Sequence, residues 1–232
     1  MPGSAAEREI RDAVAGHIRR MGGVAGVQGA RVVHELVMGE RRVDLAAVGR
    51  DRLVVFEIKS ERDTLSRLAG QVAAFQQAAH QVVVVAHRKW FEEYEYGLRP
   101  TEDLAGVMNG PRRPELWCHP APTIEEFGAN LNYAWRMPRP EMAQPRAWDL
   151  LSLLWRAELV DEATRNRVAH GRRAPIREIV GQMAWHMTGR EIAEAVCRQL
   201  RRRPFPEADT PDGAHVSAPR AVQTQEQMEM IR

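Results

Sequence analysis

Cysteine is nearly absent: Cys118 and Cys197 are the only two. Two thiols so far apart make neither a disulfide framework nor a cysteine-rich zinc site, and a reducing cytoplasm is the expected setting. No run of about 18 apolar residues occurs, so no membrane span is expected. The opening MPGSAAEREI lacks a positive segment followed by an apolar stretch and does not read as a secretory signal. Lysine is as scarce as cysteine: of 33 basic residues only Lys59 and Lys89 are lysines. Arginine serves wherever a plain positive charge is enough. A lysine kept inside a strand therefore points to a need for a compact, titratable ammonium.

What is present is an ordinary globular composition, 44% hydrophobic and 28% charged over 232 residues. That is enough for one sizeable core with an appended region. The formal charge of +2 hides an asymmetry. Residues 1–144 balance, residues 145–203 carry an excess of arginine, and residues 204–232 are acidic. The expected division is a core over 1–144, a basic helical region over 145–203 and a disordered tail over 204–232.

Apolar spacing predicts a helix over 5–20, with Gly22-Gly23 as its stop. ARVVHELVM (30–38) and RRVDLAAV (41–48) read as strands joined by a hairpin at Gly39-Glu40, and RLVVFEIKS (52–60) as a third strand. A helical period runs from Asp63 to about Ala79. QVVVVAH (81–87) reads as a strand covered on both faces. Another helix is expected over 88–96 and a short strand at 116–118. WDLLSLLWRAEL, APIREIVGQMA and GREIAEAVCRQLRRR read as three helices. The fold class is α/β: a mixed sheet flanked by helices, with a parallel pair formed by the crossover at 52–87 and a C-terminal helical region.

The third strand places Glu57 and Lys59 on one face of an apolar run, where charge is costly unless paired or bound to metal. A turn at Arg50-Asp51 sets Asp44 opposite Glu57. A turn at Gly49-Arg50 shifts it by two and keeps it on the same face. Opposed side chains sit about 5 Å apart at Cβ. A divalent cation between the two carboxylates would relieve their repulsion, and oxygen ligands suit Mg²⁺ or Mn²⁺. Lys59 then reaches a metal-bound water and the phosphate it attacks.

Asp44 followed by Glu57-Ile58-Lys59 on consecutive strands after a helix resembles the PD-(D/E)XK nuclease superfamily, with Val43 where the proline of the motif would stand. Arg42-Val43-Asp44, Glu57-Ile58-Lys59-Ser60, Asp63-Thr64-Leu65, Arg67-Leu68, Gln71 and Leu153-Leu154-Trp155-Arg156-x-Glu158 are also similar to a family of small bacterial and prophage proteins of unassigned function. The resemblance implies a restriction-endonuclease-like fold, with the Ile58 carbonyl as a further metal ligand. An earlier acid would complete the site: Glu35 is the candidate, with Glu9 and Asp12 as rivals. Gln71-x-x-x-Phe75 is similar to the Gln-x-x-x-Tyr motif of RecB-like nucleases.

The resulting expectation is a Mg²⁺- or Mn²⁺-dependent deoxyribonuclease of bacterial or phage origin. Asp44, Glu57, Lys59, Glu35 and Gln71 would be catalytic, and Asp44, Glu57 and Ile58 would hold metal. DNA would be gripped by Arg67, Arg172, Arg173, Arg201, Arg202 and Arg203. A homodimer stays open. The alternative is a catalytically inactive nuclease-fold protein that binds nucleic acid or acts as an adaptor. His34, His87 and His119 lack zinc-site spacing, and Trp148, Trp155 and Trp185 read as core residues of helices.

Overall fold

A computed structural model describes residues 4–20, 29–109, 112–127, 131–136 and 144–212. The expected stop at Gly22-Gly23 lies outside them. Helix α1 (Ala5–Arg20) leads into strands β1 (Arg31–Met38), β2 (Arg41–Val48) and β3 (Leu53–Lys59), then α2 (Leu68–Ala78) and β4 (Gln81–His87). A short hairpin of β5 (Phe91–Tyr94) and β6 (Gly97–Pro100), helix α3 (Glu102–Val107), β7 (Glu115–His119) and α4 (Ile124–Phe127) follow. The C-terminal region holds α5 (Ala147–Leu151), α6 (Arg156–Arg165), α7 (Ile176–His186) and α8 (Gly189–Arg202).

The main sheet has the order β1-β2-β3-β4-β7. β1–β2 and β2–β3 are antiparallel, and β3–β4 and β4–β7 are parallel. The mixed sheet, its crossover and its flanking helices are as expected. One face carries Leu45, Ala47, Val54, Phe56, Ile58, Val83, Val85 and Trp117 under Ile10, Val14 and Ile18 of α1. The other carries Val48, Leu53, Val55, Val82, Val84 and Leu116 under α2 and the C-terminal helices. Every residue of β3 is therefore buried. Each large apolar side chain removed from water contributes about 1.5–3 kcal/mol, and this two-sided cover forces the polar residues of β3 to find partners inside.

Several elements depart from expectation. Residues 88–96 form a 3₁₀ turn and the first hairpin strand rather than a helix, and Gly97 at φ 120° makes the turn that returns as β6. WDLLSLLWRAEL breaks into α5 and α6 between Ser152 and Trp155. The break is fixed by the Trp155 amide, which donates to Glu158 Oε2 at 2.8 Å. Residues 204–212 do not form a free tail. The His34 amide donates to Glu207 O and the Asp209 amide to Val32 O, both at 2.9 Å, which adds a short extended segment to the free edge of β1. Edge pairing needs no apolar period, so it left no mark in the sequence pattern. Residues 213–232 lie outside the described residues.

Candidate functional site

The tight turn after β2 sets the site. The Gly49 amide donates to Arg52 O at 2.8 Å, closing the loop on Arg50-Asp51. Leu45 then faces Phe56, which puts Asp44 next in line with Glu57. The β2–β3 ladder stops there. The Asp44 carboxylate replaces it, with Oδ2 accepting the Ile58 amide at 2.7 Å. On both sides of this point the side-chain alternation slips. Val33 and Leu36, and likewise Val43 and Ala46, lie on the same face of the sheet although three residues apart. Glu35, opposite Asp44, takes up the slip in β1 with φ 53°.

Glu57 is 2% exposed. Its Oε1 accepts from Lys59 Nζ at 2.7 Å and from Gln71 Nε2 on the first turns of α2. Oε2 is buried and has no partner among the described residues. Burial pushes the Asp44 carboxyl up to about 8, helped by the charge of Glu57. Burial likewise raises Glu57, while Lys59 and Gln71 pull it back. Glu7 of α1 adds negative potential to both. At neutral pH the cluster is close to electrically balanced: a Glu57–Lys59 ion pair beside a largely protonated Asp44.

The turn after β3 is fixed separately. Asp63 Oδ2 accepts from the Ser60 amide at 2.7 Å and the Ser60 hydroxyl at 2.6 Å. This closed turn delays the helix to Leu68, so Asp63, where the apolar period starts, lies before the helix. Trp90 Nε1 donates to Ser60 O at 3.2 Å, and Lys89 Nζ donates to Glu61 O while lying 4.2 Å from the Trp90 ring centre. Both lysines of the chain thus serve the end of β3. The scarcity of lysine was the signal that could have drawn Lys89 to attention. Nothing in the local pattern marked Glu7 or Trp90.

The expected site residues are partly gathered. Asp44, Glu57, Lys59 and Gln71 converge. Glu35 does not join them: it pairs with Arg42 at 3.0 Å and Arg11 at 3.5 Å. Arg67 is exposed at the entry to α2, and Arg172, Arg173 and Arg202 are exposed. Arg203 is buried; it donates to Glu158 and to Leu153 O, and its guanidinium lies over the Trp155 ring. Arg201 pairs with Asp212 at 2.7 Å. Arg203 is therefore unavailable to a polyanion, and Arg201 is already engaged. Trp148, Trp155 and Trp185 are exposed rather than core. α7 and α8 are joined by only Met187-Thr188, and α8 buries Ile192, Ala193, Ala195, Val196, Cys197 and Leu200.

Asp44 Oδ2 and Glu57 Oε1 are already engaged, and a cation would have to compete with Lys59 for Glu57. Mg²⁺ asks for six oxygen ligands in near-octahedral geometry. Among the described residues, no group of three or more His, Cys, Asp or Glu side chains is placed to hold a metal ion. Nor is any described helix long and apolar enough to cross a membrane.

A family model described as bacteriophage P4 protein cII matches residues 2–96. No curated protein and no solved structure matches the chain. The match covers the segment that carries Asp44, Glu57 and Lys59. It replaces the resemblance to PD-(D/E)XK nucleases and to the unassigned prophage family with similarity to a phage protein family of another description. With no group of three or more His, Cys, Asp or Glu placed to hold a metal among the described residues, it also corrects the expectation of a metal-dependent deoxyribonuclease.

Proposed function

We propose that the chain is a non-hydrolytic nucleic-acid-binding protein, with a mixed α/β core over residues 1–144 and a basic helical region over 145–203. The polar cluster on β2, β3 and α2 serves the fold: Asp44 finishes a broken ladder, Lys59 neutralises Glu57, and Lys59 and Gln71 both donate to its Oε1. The observation that carries binding lies elsewhere. From Ala163 to Arg177 the chain has five arginines and no acidic residue. Arg167, Arg172, Arg173 and Arg177 are exposed there, and their side chains have no ion-pair partner among the described residues. Unpaired guanidinium groups gathered on one loop and one helix start are the electrostatic requirement for holding phosphates.

The test is anisotropy of labelled duplex and single-stranded DNA with the full chain at rising salt, with cleavage followed in Mg²⁺. Binding should weaken with salt, and replacing Arg172 and Arg173 by Ala should lower the log–log slope by about one unit per lost phosphate contact. Absence of binding at low salt would defeat the binding reading, and Mg²⁺-dependent cleavage would defeat the non-hydrolytic one.

A further inference from the structure

We infer that α7 carries a stacking ridge for unpaired bases, which makes the ligand single-stranded or locally opened nucleic acid; this rests on the nucleic-acid reading above. Trp185 is 84% exposed and Trp148 43% exposed. An indole left in water is unusual in a helix that otherwise buries Ile179, Val180 and Met183. Trp148 belongs to α5 and meets α7 at Gly181: a Cβ built there would make an ordinary van der Waals contact with Trp148 Cζ3, at 3.7 Å. Trp185 follows Gly181 by four residues, and Arg177 precedes it by four. The three positions fall along one ridge of the helix at steps of about 6 Å.

An arginine, an indole seated on a glycine and a second indole therefore follow one another along a line. The acid-free loop with Arg172 and Arg173 feeds the arginine end of that line, while Glu178 is the one acid on α7. This charge favours a polyanion over an apolar protein partner. Paired bases hide their faces inside the duplex, so a projecting indole gains only from bases that are free to stack. The arrangement matches single strands: phosphates on arginines, bases on tryptophans, with no demand for sequence.

The test uses the full chain with an oligothymidylate and with a hairpin duplex. Stacking of one base on an aromatic ring is worth about 1–3 kcal/mol, so Trp185→Ala should weaken oligothymidylate binding by about 5- to 150-fold and leave duplex binding unchanged. Trp185→Phe should restore most of the loss. Oligothymidylate should quench tryptophan fluorescence in the wild type, and less in Trp185→Phe. If Trp185→Ala leaves oligothymidylate binding intact, or weakens duplex equally, the ridge is not a stacking site, although a binding loss in the Arg172/Arg173 variant would still support the broader function. If Trp185→Ala instead changes the sedimentation coefficient, the indoles cover an interface between copies and the inference falls. If neither nucleic acid binds, both readings fall together.

Discussion

Replacing Asp44 by Asn should stabilise the protein, and by an amount that grows with pH. The folded environment raises the Asp44 pKa from 3.8 to about 8, through burial first and the Glu57 charge second. Between about pH 4 and pH 8 the folded chain thus keeps a proton that the unfolded chain has released, and stability falls as pH rises through that window. The groups facing the carboxyl are Glu57 and Lys59 of β3 and Glu7 of α1. At about 1.4 kcal/mol per pH unit, the shift sets a ceiling of about 6 kcal/mol. Asn cannot ionise, yet its carbonyl oxygen can still accept the Ile58 amide. Urea midpoints should coincide for wild type and Asp44→Asn near pH 4. They should diverge steadily to pH 8, with the variant higher, and run parallel above it. A variant less stable than wild type at pH 8 would mean that the Asp44 charge supports the fold, and the account of a closed, balanced cluster would be wrong.

Glu57→Gln should have the opposite sign, since it leaves the Lys59 ammonium buried without its counter-charge; a loss of about 3–5 kcal/mol is expected from thermal or urea melts at pH 7. A chain ending at Arg203 should lose about 2–3 kcal/mol, because it forfeits the edge bonds at Val32 and His34 and the Asp209 pairing with Arg19 and Arg31. A chain ending at Asp212 should melt like the wild type if the described contacts account for the docking. Arg31→Lys should cost about 2 kcal/mol in urea melts despite the retained charge, because a single ammonium cannot serve the carbonyls of Leu200, Arg201, Arg203 and Asp209 that the Arg31 fork now spans.

The part of the fold readable from sequence is the part governed by local rules. The Arg50-Asp51 turn fixed the register of β2 on β3, and with it the approach of Asp44 to Glu57, because side-chain parity leaves no intermediate choice. The continuous apolar run of β4 announced a strand covered on both faces. What escaped were features set by side chains reaching across several residues. Asp63 holds Ser60 and postpones α2. Glu158 holds the Trp155 amide and splits what reads as one helix. Glu35 turns to positive φ opposite Asp44 and pairs with Arg42 and Arg11, so the carboxylate expected to complete the site faces away from it. The motif itself was legible, but its chemistry was not. Sequence shows that Asp44, Glu57 and Lys59 share a place; it does not show that Lys59 and Gln71 both spend their donors on Glu57.

The same distinction separates the engaged arginines of residues 145–203 from the unpaired ones. Composition counts every arginine as a free charge, whereas this chain uses many as internal connectors. Arg31 reaches the last carbonyls of α8, where the helix dipole favours a cation. Arg203 joins the end of α8 to Leu153 and to Glu158 at the start of α6. Arg198 grips the fully buried Glu162 with two donors at 3.0 and 3.2 Å. A planar fork with five donors suits that use, since it can satisfy several carbonyls at once while an ammonium serves as a point charge. Arginines near a helix end or opposite a buried acid belong to the scaffold. Arg167, Arg172 and Arg173, on the loop between α6 and α7, have no ion-pair partner among the described residues, which leaves them free to meet an outside anion.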